Sequence, residues 1–509
     1  MISAFRWQHL LLGLLGCGLG AFYVHWTWQG GLVGLVGDDA IYLLMADNFS
    51  PYYPSLNAAA DFIVGYTRFP PLYPLLLALL GGSSEHLIVA HLLTTTFLLL
   101  ALVVYFLWLR QRSLSIVPAS ILVLLFALLP STLRFSINLW SEHLYLLLTL
   151  LVLWLSGKAQ NERHWLLVAL LIGMVCLTRS IGVTLLAASL IYAWLYKIPR
   201  FWLFAGVAIV PSVAWWGVMQ LHQPEESYSE LLQMRYAEGL MQGLWWQLQH
   251  NSKALWAAWV SSFSLQPADW RAIGLLLMAI VSVAVRIYQK QLDGFYVLVY
   301  LAVIGAWPNV DHGNRFLFVI LPIVMGQIGT VGYCTVRTMQ GYKSLWVWLY
   351  PVILASLILP ASLLLIPRVW LASLPENLAG QQRTIVWLMQ PSAAQALNNL
   401  AIFKSLQQGF KAAGAHIPPT DCVFVVHPEW FMVNTKRLAF APPFDNTPEP
   451  VFNRRMKKCG YALIVWANTH PYFPSGYPAQ RIAVSGHIVY EAPLAGSDAL
   501  MVATLVRLD

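Results

Sequence analysis

What most constrains this chain is a series of apolar runs, each roughly 20 residues long, in which charge is rare: 5–26, 87–109, 201–221, 316–336 and 345–366. About 20 such residues wound as a helix span the hydrocarbon core of a bilayer, where every backbone polar group must find its partner within the segment. Five runs of this kind in 509 residues, with 58% hydrophobic residues, 10% charged residues and a mean hydropathy of +0.63, are incompatible with an ordinary soluble domain. The chain is read as an integral membrane protein. Its net charge of +8 suits basic loops at a membrane surface and gives no indication of a nucleic-acid partner.

Six shorter runs, 114–129, 139–155, 165–177, 181–196, 272–288 and 295–308, bring the expected spans to about eleven. The first run follows Arg6 as a signal peptide would, but it is longer than a usual signal core and lacks an Ala-x-Ala cut site, so it is read as a retained span. Lys and Arg in short loops set the orientation. With Arg6 inside, alternate loops carry Arg110 and Arg112, Lys158 and Arg163, Lys197 and Arg200, Arg286 and Lys290, and Arg337 and Lys343. This predicts a multi-pass protein of the plasma membrane with a cytoplasmic N-terminus. The 37–80 segment and everything after Pro367 then lie outside.

The expected domains are a membrane domain over 1–368, which includes a first outer loop at 28–86 and a second at 222–270, and an extracytoplasmic domain over 369–509. In the second outer loop, Trp245, Trp246, Trp256 and Trp259 among polar residues predict one or two amphipathic helices in the outer interface. The tail changes character. Its apolar runs shrink to strand length in "DCVFVVHP", "RLAFAP", "YALIVWAN" and "ALMVATLV", with a helical stretch at 392–413. Composition and periodicity thus predict an all-α polytopic membrane domain with outer juxtamembrane helices and a C-terminal α/β domain. Cys17, Cys176 and Cys334 fall in apolar runs, leaving Cys422 and Cys459 near two strand starts as either a bridge or two separate thiols.

Against the inside-positive trend, Arg68, Arg134, Arg179 and Arg315 fall on the outer side, in "RFPPLYP", "RFSINLWSEH", "LTRS" and "HGNRF". Several misplaced guanidiniums fit an anion, and at an outer membrane surface the natural candidate is the phosphate or pyrophosphate of a lipid carrier. The plainer alternative for any one of them is a side chain snorkelling to lipid headgroups. Asp38 and Asp39 open a predicted helix over 40–49, with Ile41, Leu44, Met45 and Phe49 expected to lie along the membrane surface. Alone they read as an N-cap and a first-turn charge. Glu142 beside Arg134, at the outer end of another span, adds a second acidic site where carboxylates are costly unless paired or used.

The string "DDAIYLLMA" resembles the Asp-Glu-x-x-Tyr-x-x-x-Ala motif of the GT-C membrane glycosyltransferases of the protein O-mannosyltransferase and aminoarabinose transferase type. Asp38, Tyr42 and Ala46 match, and Asp39 stands in place of Glu. "FPPLYPLLLAL", "WSEHLYLLL", "LTRS" and "RFLFVILP" are similar to further elements of that superfamily in the same order over 37–322, with Phe316 replacing a Tyr. The resemblance implies a GT-C fold and transfer of a sugar, with inversion, from a polyprenyl-phosphate donor to an acceptor hydroxyl on a glycan, lipid or protein.

It also implies roles: Asp38 as base, Asp39 supporting it or binding acceptor, and Glu142 orienting the acceptor or a metal. Arg179 and Arg315 would hold the leaving phosphate, with Arg68 and Arg134 as second choices, and Tyr42 and His312 would contact substrate. His143 and His312 are the residues that could join these carboxylates in holding a divalent metal. No metal-site spacing such as His-Glu-x-x-His is present, so no cofactor is assigned. The alternatives are a transporter or lipid flippase, which would place its charges near the bilayer midplane, and a membrane scaffold.

Overall fold

A computed structural model of the chain describes residues 2–27, 38–52, 69–222, 239–307, 313–340, 352, 354–356, 363, 366, 393–443, 447–467, 470–471, 478–484, 486–494 and 501–508. The first helices are α1 (Ile2–Thr27), α2 (Asp38–Phe49), α3 (Leu72–Leu79), α4 (Leu87–Gln111), α5 (Ile116–Ala127), α6 (Pro130–Phe135), α7 (Glu142–Ser156) and α8 (Glu162–Thr178). There follow α9 (Val183–Leu195), α10 (Phe201–His222), α11 (Leu240–Ser262), α12 (Trp270–Tyr288), α13 (Leu292–Ala306) and α14 (Gly313–Gln340). The tail contributes α15 (Ala393–Ala415), β1 (Cys422–Phe424), α16 (Pro428–Thr435), β2 (Leu438–Phe440), α17 (Glu449–Met456), β3 (Tyr461–Ala467), β4 (His470–Pro471), α18 (Ala479–Val484), β5 (Gly486–Leu494) and β6 (Met501–Leu508).

Each expected span up to 316–336 is a helix; the one at 345–366 falls almost wholly outside the described residues. Among the described residues α4, α10, α12 and α14 are long and apolar enough to cross a membrane, and α5, α7, α9 and α13 are shorter apolar helices. Helix α4 shows why such sequences need lipid. It buries Leu98, Ala101, Leu102, Tyr105 and Trp108 against its neighbours, yet Leu100, Val103 and Leu107 are exposed at helical spacing on the opposite face. A helix apolar on all sides is stable only where its outward face meets another apolar medium.

Contacts divide the chain into two compact units. The first comprises Met1–Trp28, Thr67–Tyr73 and His91–Leu371, and the second Gln29–Tyr66, Pro74–Ala90 and Ala372–Asp509. Within the first, the helices pack through aromatic side chains: Phe126 meets Tyr105 at 6.0 Å and Phe318 at 5.9 Å between ring centroids, and Phe135 meets Phe318 at 5.1 Å. The buried hydroxyls of Tyr145 and Tyr296 satisfy one another at 3.0 Å across α7 and α13. The second outer loop contributes one long helix, α11, with Trp245 and Trp246 exposed and Trp259 buried.

Within the second unit, a six-stranded sheet runs in the order β2-β1-β3-β6-β5, with β4 paired to β3. β1 is parallel to both β2 and β3, whereas β6 is antiparallel to β3 and β5. Helices α16 and α17 make the crossovers that parallel strands require. Phe424, Ile464, Val506, Phe452 and Ile482 are buried together in its core. Cys422 and Cys459 form a disulfide at the starts of the neighbouring strands β1 and β3, which settles the alternative left open by sequence. Strand β5 and the helices α16, α17 and α18 carry no periodicity strong enough to announce them.

Helix α2 departs from expectation. It belongs to the second unit and begins at Asp38 itself, and every residue from Asp39 to Asp47 is buried rather than one apolar side lying along a membrane surface. The reason is visible in its sequence: Leu43 and Ala46 complete a ring of apolar residues around the helix, and α16 packs against it.

Candidate active site

The first acidic site starts helix α2. Asp38 and Asp39 occupy its first turn, where carboxylates complement the positive end of the helix dipole. The Asp39 carboxylate is buried and accepts the Ala40 N–H at 2.9 Å, and Tyr42 is buried one turn on.

The second acidic site is an ion-pair cluster built by three helix ends in the first unit. Glu142 is the first residue of α7 and fully buried. Arg179 terminates α8: its extended backbone breaks the helix, and a short 3-10 turn (Ser180–Gly182) leads at once into α9. Only glycine fits at position 182, because a Cβ there would lie 2.8 Å from both the Cys176 Cα and the Val175 carbonyl oxygen. Arg315 lies in the first turn of α14, where a Cβ on Gly313 would come within 3.1 Å of Ala254 and Ala258 of α11.

These ends bring the three charges together. Arg179 Nη1 lies 2.6 Å from Glu142 Oε2 and donates to Ser141 Oγ at 3.1 Å. Arg315 donates through Nε to Glu142 Oε1 and through Nη2 to Oε2 at 3.3 Å, a two-pronged pair. Its guanidinium also stacks over the Trp140 ring at 4.4 Å. A cation in the first turn of α14 opposes that helix dipole, and Glu142 offsets the cost. Two guanidiniums thus share the one carboxylate of Glu142. The arginine side chains are 13% and 11% exposed while Glu142 is 1% exposed, so what remains open to a ligand is cationic.

Among the other predicted residues, Arg134 lies on α6, where burial depresses its pKa and its Nε is buried with no hydrogen-bond partner among the described residues. Arg68 and His312 lie outside the described residues. His143 is buried, with Nδ1 3.2 Å from the Trp140 carbonyl and its ring edge-on to Phe318. Among the described residues no three His, Cys, Asp or Glu side chains gather as a metal site. With both Glu142 oxygens engaged by guanidiniums, Glu142 and His143 do not fit a divalent ion.

A second polar cluster escaped the sequence reading. Asp293, fully buried, accepts from Arg286 Nε at 3.0 Å and Nη2 at 3.1 Å, from Arg112 Nη2 at 3.4 Å and from Gln327 at 3.3 Å. The two arginines had been counted only as inner-loop charges. An acid one residue into α13, three residues after Lys290, was the available signal. Two of the charges assigned to inner loops, Arg112 and Arg286, thus meet at Asp293, and two of the four outer arginines, Arg179 and Arg315, meet at Glu142.

No protein-family model matches the chain, and no curated protein sequence matches it. Solved structures do. ArnT from Cupriavidus metallidurans bound to undecaprenyl phosphate superposes with a TM-score of 0.57 at 12% identity, covering 97% of this chain and 97% of that one. The chain has an ArnT-like GT-C fold. ArnT from the same organism in the apo state gives a TM-score of 0.49 at 13% identity, covering 99% of this chain and 98% of that one. The oligosaccharyltransferase of Archaeoglobus fulgidus in complex with Zn and sulfate gives 0.46 at 12% identity, covering 88% of this chain and 67% of that one. The ArnT-like fold accounts for the polytopic helical unit and for the α/β tail on one chain.

Proposed function

We propose that this protein is a membrane glycosyltransferase that moves a sugar from a polyprenyl-phosphate donor to an acceptor hydroxyl, with inversion, on the outer face of the plasma membrane. The observation that carries the reading is the partly open pair of guanidiniums, Arg179 and Arg315, locked by Glu142 at the ends of apolar helices. A pair of guanidiniums there suits the phosphate of a lipid-borne anion. The ArnT-like fold supports it, since the matching ArnT structure contains undecaprenyl phosphate. A disulfide in the tail favours an oxidising, extracytoplasmic setting for that domain.

In this reading Asp38 accepts the proton of the acceptor hydroxyl as its oxygen attacks the anomeric carbon, and the bond from that carbon to the carrier phosphate oxygen breaks. Asp39 supports Asp38, Tyr42 contacts the substrate, and Arg179 and Arg315 stabilise the charge that grows on the leaving phosphate. Glu142 acts by holding the two arginines. Arg134 is a further phosphate contact, with Arg68 and His312 as remaining candidates for the substrate.

Binding of undecaprenyl phosphate to the purified protein, followed by native mass spectrometry, tests the reading. Saturable binding that Arg315→Ala weakens by about tenfold or more is expected for the loss of a charge-assisted pair. Absence of binding, or equal binding by the variant, would count against it.

A further inference from the structure

A polar relay in the second unit fixes the far end of the helix that carries Asp38 and Asp39. Asp47, buried near the C-terminal end of α2, accepts the Ser84 N–H through Oδ1 at 2.8 Å and the Ser84 hydroxyl through Oδ2. The same hydroxyl accepts from Lys436 Nζ, which also lies 3.9 Å from Asp47 Oδ2 and 3.9 Å from Glu85 Oε1. Ser84 is held in its turn by its neighbour, since Ser83 Oγ accepts the N–H groups of Glu85 at 3.3 Å and His86 at 3.0 Å. Lys436 caps α16 with a left-handed backbone (φ 57°) and an N–H bond to the Met432 carbonyl at 2.8 Å. Burial pushes the Asp47 carboxyl above its ordinary pKa while Ser84 and Lys436 pull it down, so these contacts keep a buried acid tolerable.

Most of α2 is apolar: Ile41, Leu43, Leu44, Met45 and Ala46 are all buried, and apolar packing alone discriminates weakly between neighbouring rotations. Sliding the helix by one residue turns its N-terminus by about 100°, enough to point Asp38 elsewhere. A single buried polar contact is a well-attested way to fix such a register. We infer that Lys436, acting through Ser84 on Asp47, is a positioning residue that sets the register of α2 and hence the aim of Asp38. The C-terminal domain is then a working part of the enzyme, and this conclusion rests on the glycosyltransferase reading.

The test uses the full-length protein in lipid nanodiscs, comparing wild type with Lys436→Met and Lys436→Arg by hydrogen exchange and mass spectrometry. Lys436→Met should speed exchange of the 38–49 amides by about tenfold while leaving the β3 and β6 amides unchanged, and Lys436→Arg should restore protection. Unchanged exchange in 38–49, or acceleration spread equally through the sheet, overturns the proposal. In cells, Lys436→Met should lower the glycan product about tenfold and Lys436→Arg should rescue it. If exchange rises but product is unaffected in Lys436→Met while Asp38→Asn abolishes it, the positioning role fails and the glycosyltransferase reading stands. If Asp38→Asn leaves product unaffected, it is the glycosyltransferase reading that has failed.

Discussion

Glu142 shows how a single side chain can be both expensive and indispensable. A fully buried carboxylate is tolerated here because Arg179 and Arg315 supply donors to both its oxygens. Removing its charge leaves two guanidiniums facing one another. Glu142→Gln should therefore destabilise the protein by about 3 to 5 kcal/mol, measured as a fall in thermal midpoint in nanodiscs, whereas a snorkelling surface acid would cost well under about 1 kcal/mol. The charged members of this cluster were legible in the sequence because each is a charge where the surroundings forbid one. Their partners were not. Ser141 and Trp140 are ordinary residues until chain folding brings Arg179 to Ser141 over 38 residues and Arg315 to Trp140 over a far longer separation.

Elements were legible wherever one period dominated. Among the described residues the apolar runs became helices to within about four residues at either end, because length and hydropathy leave a buried segment in lipid few alternatives. Their starts depend on side-chain chemistry. Helix α12 begins two residues before its apolar run, since Asp269 caps it by accepting the Arg271 N–H at 2.9 Å and pairing with the same guanidinium. The side-chain bonds from Arg271, followed by its N–H, hold the Asp269 carboxyl below its ordinary value of 3.8. A lowered acid pKa contributes stability above the unfolded value and loses it as pH falls through the folded one. Asp269→Ala should accordingly lower the thermal midpoint at pH 7, and the difference from wild type should shrink as pH falls below 3.8. Helix α2 marks the limit of such reading. Its helicity was apparent, but its complete burial depends on α16, nearly 400 residues away in sequence.

At the scale of the whole molecule, an α/β tail was apparent from the drop in apolar run length after the last span, but its architecture was not. Strand order depends on pairings such as Val423 with Tyr461, which no local pattern encodes. The Cys422–Cys459 bridge reinforces that pairing by closing a 37-residue separation. Replacing both cysteines by serine should cost the tail about 3 to 4 kcal/mol and increase its susceptibility to trypsin, with the membrane helices unaffected. The order of motifs along the chain anticipated the ArnT-like fold, which the chain shares at 12% identity. On the proposed reading, this protein transfers a sugar through Asp38. The most direct test is mass spectrometry of surface glycans, glycolipids and glycoproteins from cells carrying the wild type, Asp38→Asn, or no copy of the chain. The account predicts that Asp38→Asn reaches the membrane at wild-type levels yet yields the profile of cells lacking the chain; a wild-type profile from that variant would contradict it.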